Sequence, residues 1–281
     1  MSTGFWIAIA VIAGIFVIAS VAGMLMKPVA RVLRVLIRVD VQNDFCPGGN
    51  LAVADGNLIV ALINKLSRLG KQWGFYDLVI DTQDSHPEDH GSFFTQHPGM
   101  AAFTMHVLNG LQQMLWTVHC VVGTKGWEFH KDLDRSMVDR TVPKGQDKRV
   151  DSYSGFYDNG RTAAAELKAQ YPFLGKSTGL AEYIVAQAER AKADEILIDV
   201  VGLAFDYCVA YTAIDARTIE YKGKKVRVRI IIDATKAIAN TPEALAAKTK
   251  ELEAAEVEVV KSEVVLAEMQ PPIPWPSPYM H

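Results

Sequence analysis

The apolar and polar positions divide the chain into an uncharged leader, a long patterned body and a short proline-rich tail. Residues 5–26 contain no charged side chain and are mostly Ile, Val, Ala and Phe; about 20 apolar residues suffice for a helix to cross a bilayer. In the body, apolar runs of strand length alternate with segments whose apolar positions recur at helical spacing. Residues 32–39 read as a strand, followed by a turn at Cys46-Pro47-Gly48-Gly49, and residues 58–69 as a helix stopped by Gly70. A strand at 76–82 precedes a polar stretch, 83–117, too long for an idle connection and so a candidate functional loop. Helices follow at 162–169 and 179–191, a strand at 195–201, a helix at 206–220, a strand at 225–232, a helix at 242–255 and a last strand at 257–260. Residues 271–276, Pro-Pro-Ile-Pro-Trp-Pro, cannot hold regular structure and read as an extended appendage. No internal repeat is visible.

Strands and helices in turn predict an α/β fold, a parallel sheet with helices on both faces. The implied divisions are an amino-terminal segment (1–30), a catalytic domain (31–268) and a tail (269–281). One local conflict stands out. A central parallel strand is apolar on both faces, yet the first strand carries Arg34 and Arg38. Arg38 shares a face with Asp40, and an ion pair is the account open to it.

The charges around the leader give it a direction. None precedes it, while Lys27, Arg31, Arg34 and Arg38 follow, which holds the following domain in the cytoplasm if the segment is a membrane anchor. The alternatives are a signal peptide cut near the small-x-small triplet Ser20-Val21-Ala22, with export of the rest, and a buried soluble helix. Net charge is only −3 with acids and bases interspersed, so the basic stripe of a nucleic-acid surface is missing. Three cysteines, Cys46, Cys120 and Cys208, make no disulfide framework and no Cys-x-x-Cys pair. They suit a reducing compartment or a single reactive thiol.

Four groups could carry chemistry. Asp40, in Asp40-Val41-Gln42-Asn43-Asp44-Phe45, stands at the carboxyl end of a strand, where open α/β sheets place their sites; it is a general base or a turn cap. Asp84, His86 and His90 lie in one extended segment, with His119 further on, and five of the seven histidines fall between Gln83 and Cys120. One Asp and two His with open positions suit a divalent first-row metal such as zinc, iron or manganese. His97 and His106 lack such partners and read as ordinary loop residues. Cys208 follows the turn after an apolar strand, at the start of a helix, where free N–H groups favour a thiolate and can hold an oxyanion; a buried structural thiol is the other reading. Lys144 gains meaning only beside Cys208 and Asp40, as nucleophile, proton acceptor and cation.

In order, the segments VDVQNDFCPGG (39–49), TQDSHPEDHGSF (82–93), WTVHCVVGTKG (116–126), 144–159 and GLAFDYC (202–208) resemble the nicotinamidase/pyrazinamidase family of isochorismatase-like cysteine hydrolases. The resemblance spans about Val35 to Val260. It implies a Rossmann-like three-layer fold with a parallel sheet of about six strands, here preceded by one apolar helix. It implies a catalytic Cys208, Asp40 and Lys144, and an oxyanion hole from the N–H groups of Ala204 and Cys208 with a cis peptide before Ala204. It further implies metal ligands Asp84, His86 and His119 with His90 close by, and pocket walls Phe45, Trp116 and Tyr153. The activity implied is hydrolysis of nicotinamide for NAD salvage, with one divalent metal, zinc first, then iron or manganese. A related small amide such as pyrazinamide, or a tethered binding protein without catalysis, are the alternatives. The implied partners are the small substrate and, through the leader, a membrane; homo-oligomer formation stays open. The chain departs from the pattern at Phe205, where Thr is usual, at Ser85, where an aromatic is common, and in its leader.

Overall fold

The computed structural model describes residues 30–270. The anchor and signal-peptide readings of residues 5–26, and the extended tail at 271–276, lie outside the described residues. Among the described residues no helix is long and apolar enough to cross a membrane.

The apolar runs form strands β1 (Val32–Val39), β2 (Leu78–Asp84), β5 (Arg140–Lys144), β6 (Glu195–Leu203), β9 (Arg227–Lys236) and β10 (Glu258–Val260) of one sheet. Its order is β10-β9-β6-β1-β2-β5, and every pairing is parallel. From β1 the chain moves outward through β2 to β5, then returns to the other side of β1 for β6. That reversal makes the carboxyl ends of β1 and β6 the switch point of the fold, the expected place for a ligand.

Alternation along β1 assigns the helices to faces. Leu33, Val35, Ile37 and Val39 join one buried cluster with residues of α3 (Leu180–Arg190), α4 (Ala210–Arg217) and α5 (Pro242–Ala254). Leu36 joins the other, with residues of α1 (Val60–Gln72) and α6 (Ser262–Glu268). Helix α5 starts where local chemistry directs: the Thr241 hydroxyl accepts from Ala244 N, and Pro242 opens the first turn. The short α2 (Ala165–Gln170) lies between β5 and α3 in sequence.

Several boundaries differ from the sequence reading. The first helix runs through Gly70 to Gln72, and the Gly70 carbonyl accepts from Phe75 and Tyr76. The helix read at 206–220 begins as a wide turn, Phe205–Val209, before α4. The polar stretch contains a hairpin, β3 (Met105–Leu108) and β4 (Leu111–Met114), closed by Asn109-Gly110 with φ of +49° and +82°. A second small hairpin joins β7 (Glu220–Tyr221) to β8 (Lys224–Lys225).

Arg38 is an ion pair, but with Asp81 rather than Asp40. The two face each other in register on β1 and β2, and the fully buried guanidinium grips the carboxylate at 2.6 and 3.0 Å. A second such pair, Asp199 and Arg229, links β6 to β9 and also takes the Tyr76 hydroxyl. Both satisfy charges that a doubly covered sheet would otherwise strand.

Candidate active site

Four neighbouring strand ends bring the expected residues together. Asp40 follows β1 with φ of +45°, Asp84 ends β2, Lys144 ends β5, and Cys208 lies in the turn after β6. Lys144 pairs in register with Asp84. Two glycines let this packing close. A Cβ at Gly202 would stand 2.1 Å from the Val39 carbonyl oxygen, and φ there is +114°. A Cβ at Gly145, with φ of +67°, would stand 2.5 Å from the His86 ring. Only glycine fits either position.

Lys144 is the hub. Its Nζ lies 3.0 Å from Asp40 Oδ2 and 3.0 Å from Asp84 Oδ1. It also donates to the Ser152 carbonyl at 2.8 Å and to Cys208 Sγ at 3.6 Å. The contact with Asp40 Oδ2 is Coulombic, because that oxygen accepts no well-directed hydrogen bond. The other oxygen, Oδ1, accepts from Thr82 Oγ1 at 2.6 Å.

Burial dominates the electrostatics. It pushes the Cys208 thiol well above its ordinary pKa, with Lys144 opposing. It also raises the Asp40 carboxyl, against Lys144 and with Asp84 adding. Burial works against the charge on Lys144, yet Asp40 and Asp84 hold it protonated well above the ordinary lysine range. The resting thiol is therefore protonated and needs a base beside it. Burial likewise raises the thiols of Cys46, to about 11, and of Cys120, well above its ordinary value with Lys144 opposing.

The histidines present ring nitrogens to Asp84. His86 Nδ1 lies 2.8 Å from the Gly145 carbonyl and His119 Nδ1 2.8 Å from the Thr117 carbonyl. Facing acceptors, both Nδ1 atoms carry hydrogen, which leaves each Nε2 to hold a metal when the ring is neutral or to donate to Asp84 when it is protonated. Those nitrogens point at Asp84 Oδ2 from 3.0 and 3.3 Å. Two imidazole lone pairs and a carboxylate oxygen converging at such distances must share a proton or a cation, and this buried oxygen–nitrogen set fits a divalent metal. Burial acts against charge on His86, but Asp84 outweighs it and raises the pKa.

His90 sits beside this triad rather than within it. Its ring is 4.2 Å from that of His86, and it belongs to a second possible ligand set with His86 and Asp151. Burial, with His86 adding, lowers its pKa to about 4. Its Nε2 is buried without a protein partner. The His97 and His106 rings meet at a tilt of 52° with centroids 4.3 Å apart, and join neither set.

Phe45, Trp116 and Tyr153 line a small cavity together with Asp84, His119, Ala204 and Cys208. Leu51, Asp151, Tyr207 and Ile238, which sequence reasoning missed, complete the lining. Tyr207 meets Trp116 edge-to-face at 4.8 Å. Its place beside Cys208 was the available signal; Ile238 had none. A larger basin of about 960 Å³ opens past His119, between the turn at Cys46–Asn50 and Val121–Gly126, but Cys208, Lys144 and Asp40 are not among its walls. The Leu203–Ala204 peptide is cis, as the resemblance implied. Phe205 is 1% exposed in the core, away from the cavity lining, so this departure does not face the substrate space.

Residues 34–264 match the isochorismatase domain family. The chain is 36% identical over 222 residues to a nicotinamidase from Escherichia coli, covering 79% of this chain and 92% of that protein. It is 40% identical over 203 residues to a nicotinamidase from Acinetobacter baylyi, covering 72% and 81%. Among solved structures, a nicotinamidase/pyrazinamidase from Acinetobacter baumanii superposes with a TM-score of 0.68 at 33% identity, covering 85% of this chain and all of the other. A zinc complex of a pyrazinamidase from Pyrococcus horikoshii gives 0.57 at 29% identity, covering 81% and 98%.

Proposed function

This chain belongs to the nicotinamidase/pyrazinamidase family of isochorismatase-domain hydrolases and hydrolyses nicotinamide to nicotinate and ammonia, and we propose that it does so through a thioester on Cys208. The observation that carries this reading is the placement of Lys144 Nζ, within 3.0 Å of Asp40 and 3.6 Å of Cys208 Sγ in a buried setting.

Nicotinamide offers a flat ring and a neutral carboxamide. The ring enters between Phe45 and Trp116, with Tyr153 alongside. Asp84, His86 and His119 would hold a divalent metal, zinc first and iron or manganese next, which would supply a Lewis acid for the pyridine nitrogen. Asp40 takes the thiol proton as Sγ bonds to the carboxamide carbon, and Lys144 offsets the charge that develops beside it. The N–H groups of Ala204 and Cys208 hold the oxyanion. Asp40 returns the proton to the nitrogen, the C–N bond breaks and ammonia leaves. Water, deprotonated by Asp40, then attacks the thioester; nicotinate departs and the thiol is restored.

Pyrazinamide differs by one ring nitrogen and meets the same walls, so it is a second substrate in this reading. A binding protein without catalysis would have no use for the assembled Cys208, Asp40 and Lys144. We further propose that residues 1–30 tether the domain at the cytoplasmic face of a membrane, a reading carried by the uncharged apolar run of residues 5–26 and the basic residues that follow it.

The test is ammonia release from nicotinamide by the purified chain, with and without chelator. Release abolished by chelation and restored by zinc supports thiol and metal assignments together. Release indifferent to a chelator that demonstrably strips the metal sinks the ligand assignment, and no release from metal-loaded protein sinks the substrate.

A further inference from the structure

Ser85 sits between Asp84 and His86, two of the proposed metal ligands. The structure shows what occupies its neighbourhood. Trp127, from the loop after β4, donates its indole N–H to Ser85 Oγ at 2.9 Å. The Ser85 hydroxyl in turn donates to the Gln83 carbonyl at 3.1 Å. The Trp127 carbonyl accepts from Gln42 Nε2 at 2.8 Å and from Gln83 Nε2 at 3.1 Å. Gln42 also clasps the backbone of Asp84 on both sides: Asp84 N–H donates to Gln42 Oε1 at 2.8 Å, and Gln42 Nε2 donates to the Asp84 carbonyl at 2.9 Å.

Trp127 therefore bonds to the residues before and after Asp84 and to the side chain that clasps Asp84 itself. Gln42 and Ser85 are buried, and the bonds from Trp127 to them are part-buried. The Asp84 carboxylate answers to three groups at once, Lys144 through Oδ1 and His86 and His119 through Oδ2. A small shift of its backbone disturbs all three.

We propose that Trp127 is a positioning residue for the metal site, acting from a neighbouring loop through its indole bond to Ser85. It fixes the end of β2 on which Asp84 and His86 are carried. The inference rests on the ligand assignment proposed above, and it makes positions 85 and 127 a coupled pair.

The experiment is zinc affinity of the full chain, by competition with a chromophoric chelator, independent of turnover. Trp127→Phe keeps most of the bulk and loses the indole N–H; it is expected to weaken zinc binding by about tenfold, the scale of one hydrogen bond. Trp127→Ala is expected to lose roughly 10- to 100-fold, the usual range for residues that orient ligands. Ser85→Ala removes the acceptor of the indole bond and should weaken binding by a similar factor. The double variant Ser85→Ala/Trp127→Phe should lose little more than either single variant, because both remove the same bond. Additive losses in the double variant would mean that the two side chains act separately, and that result overturns the inference. So does parental affinity in both Trp127→Phe and Trp127→Ala. If the unsubstituted chain takes up no zinc, iron or manganese, the ligand assignment itself fails, and this inference fails with it.

Discussion

The Thr82 hydroxyl lies 2.6 Å from Asp40 Oδ1, both side chains fully buried. The direction of the bond is fixed, because Asp40 N–H approaches the same hydroxyl oxygen at 3.3 Å and can only donate. The threonine proton must therefore go to the carboxylate. One oxygen of the base is held in place, and the other is left facing Lys144 at 3.0 Å.

Removing that hold should show in turnover more than in binding. A hydrogen bond to a charged group contributes about 1.5–3 kcal/mol, so Thr82→Val is expected to lower kcat for nicotinamide by roughly 10- to 100-fold with little change in KM. Thr82→Ser keeps the hydroxyl and should recover most of the loss. Equal losses in the two variants would mean that the methyl group, not the hydrogen bond, is what matters.

Cys208 and Lys144 should separate by what else they do. Cys208 Sγ is not in the Asp84, His86, His119 set, so Cys208→Ala is expected to abolish ammonia release while bound metal per chain, by elemental analysis, stays at the parental level. Lys144 also pairs with both buried carboxylates. Lys144→Met strands them, at a cost of about 3–5 kcal/mol for breaking a buried pair, so that variant should lose activity and melt earlier. Near-normal activity in Cys208→Ala would sink the thioester.

The raised carboxyl of Asp40 sets the acid side of the pH profile. Only its ionised form can take the thiol proton, so activity is lost as pH falls through its pKa. Burial, the largest cause, lifts that value above the ordinary 3.8, and the neighbouring Asp84 charge adds to the lift. A cation on Asp84 removes part of the second effect and leaves the first. The acid limb of kcat/KM should therefore lie above the ordinary aspartate range. Lys144 is held protonated well above 10.5 despite its burial, so it contributes no alkaline limb below that pH. An acid limb at or below 3.8 would exclude Asp40 as the base in this environment.

Much of this site was legible because its residues are anchored by their neighbours in sequence. Asp40, Asp84 and Cys208 all follow apolar runs at strand ends, and the strands form where the runs are. Lys144 was legible only in combination with Cys208 and Asp40 and through the resemblance: its strand, Arg140–Lys144, is short, charged at both ends and contains Pro143. Such a strand is tolerated because β5 lies at the sheet edge, a tertiary fact that no local pattern carries. The hairpin in the polar stretch was announced by Asn109-Gly110, but its flanking strands do not alternate cleanly enough to be read. The partner of Arg38 lay 43 residues away across a strand pairing, and only the register of β1 on β2 reveals it. Ile238 reaches the pocket through a loop held by Asp206, a contact without a sequence signature.

That last contact makes a specific demand on substrate binding. Asp206 Oδ1 accepts from Ile238 N at 2.9 Å, and Oδ2 accepts from Ala239 N at 2.8 Å. Ile238 lines the same cavity as Cys208, so one carboxylate ties a pocket wall to the turn that carries the nucleophile. In Asp206→Asn one of the two N–H groups meets an NH2 group instead of an oxygen; both bonds are part-buried, and a hydrogen bond to a charged group contributes about 1.5–3 kcal/mol. The wall should loosen while Cys208, Asp40 and Lys144 keep their contacts. The expected result is a rise in KM for nicotinamide of roughly 10-fold or more, with kcat reduced less and bound metal unchanged. Steady-state kinetics decides the matter: an unchanged KM with a large fall in kcat would mean that Asp206 serves the nucleophile's turn rather than the wall.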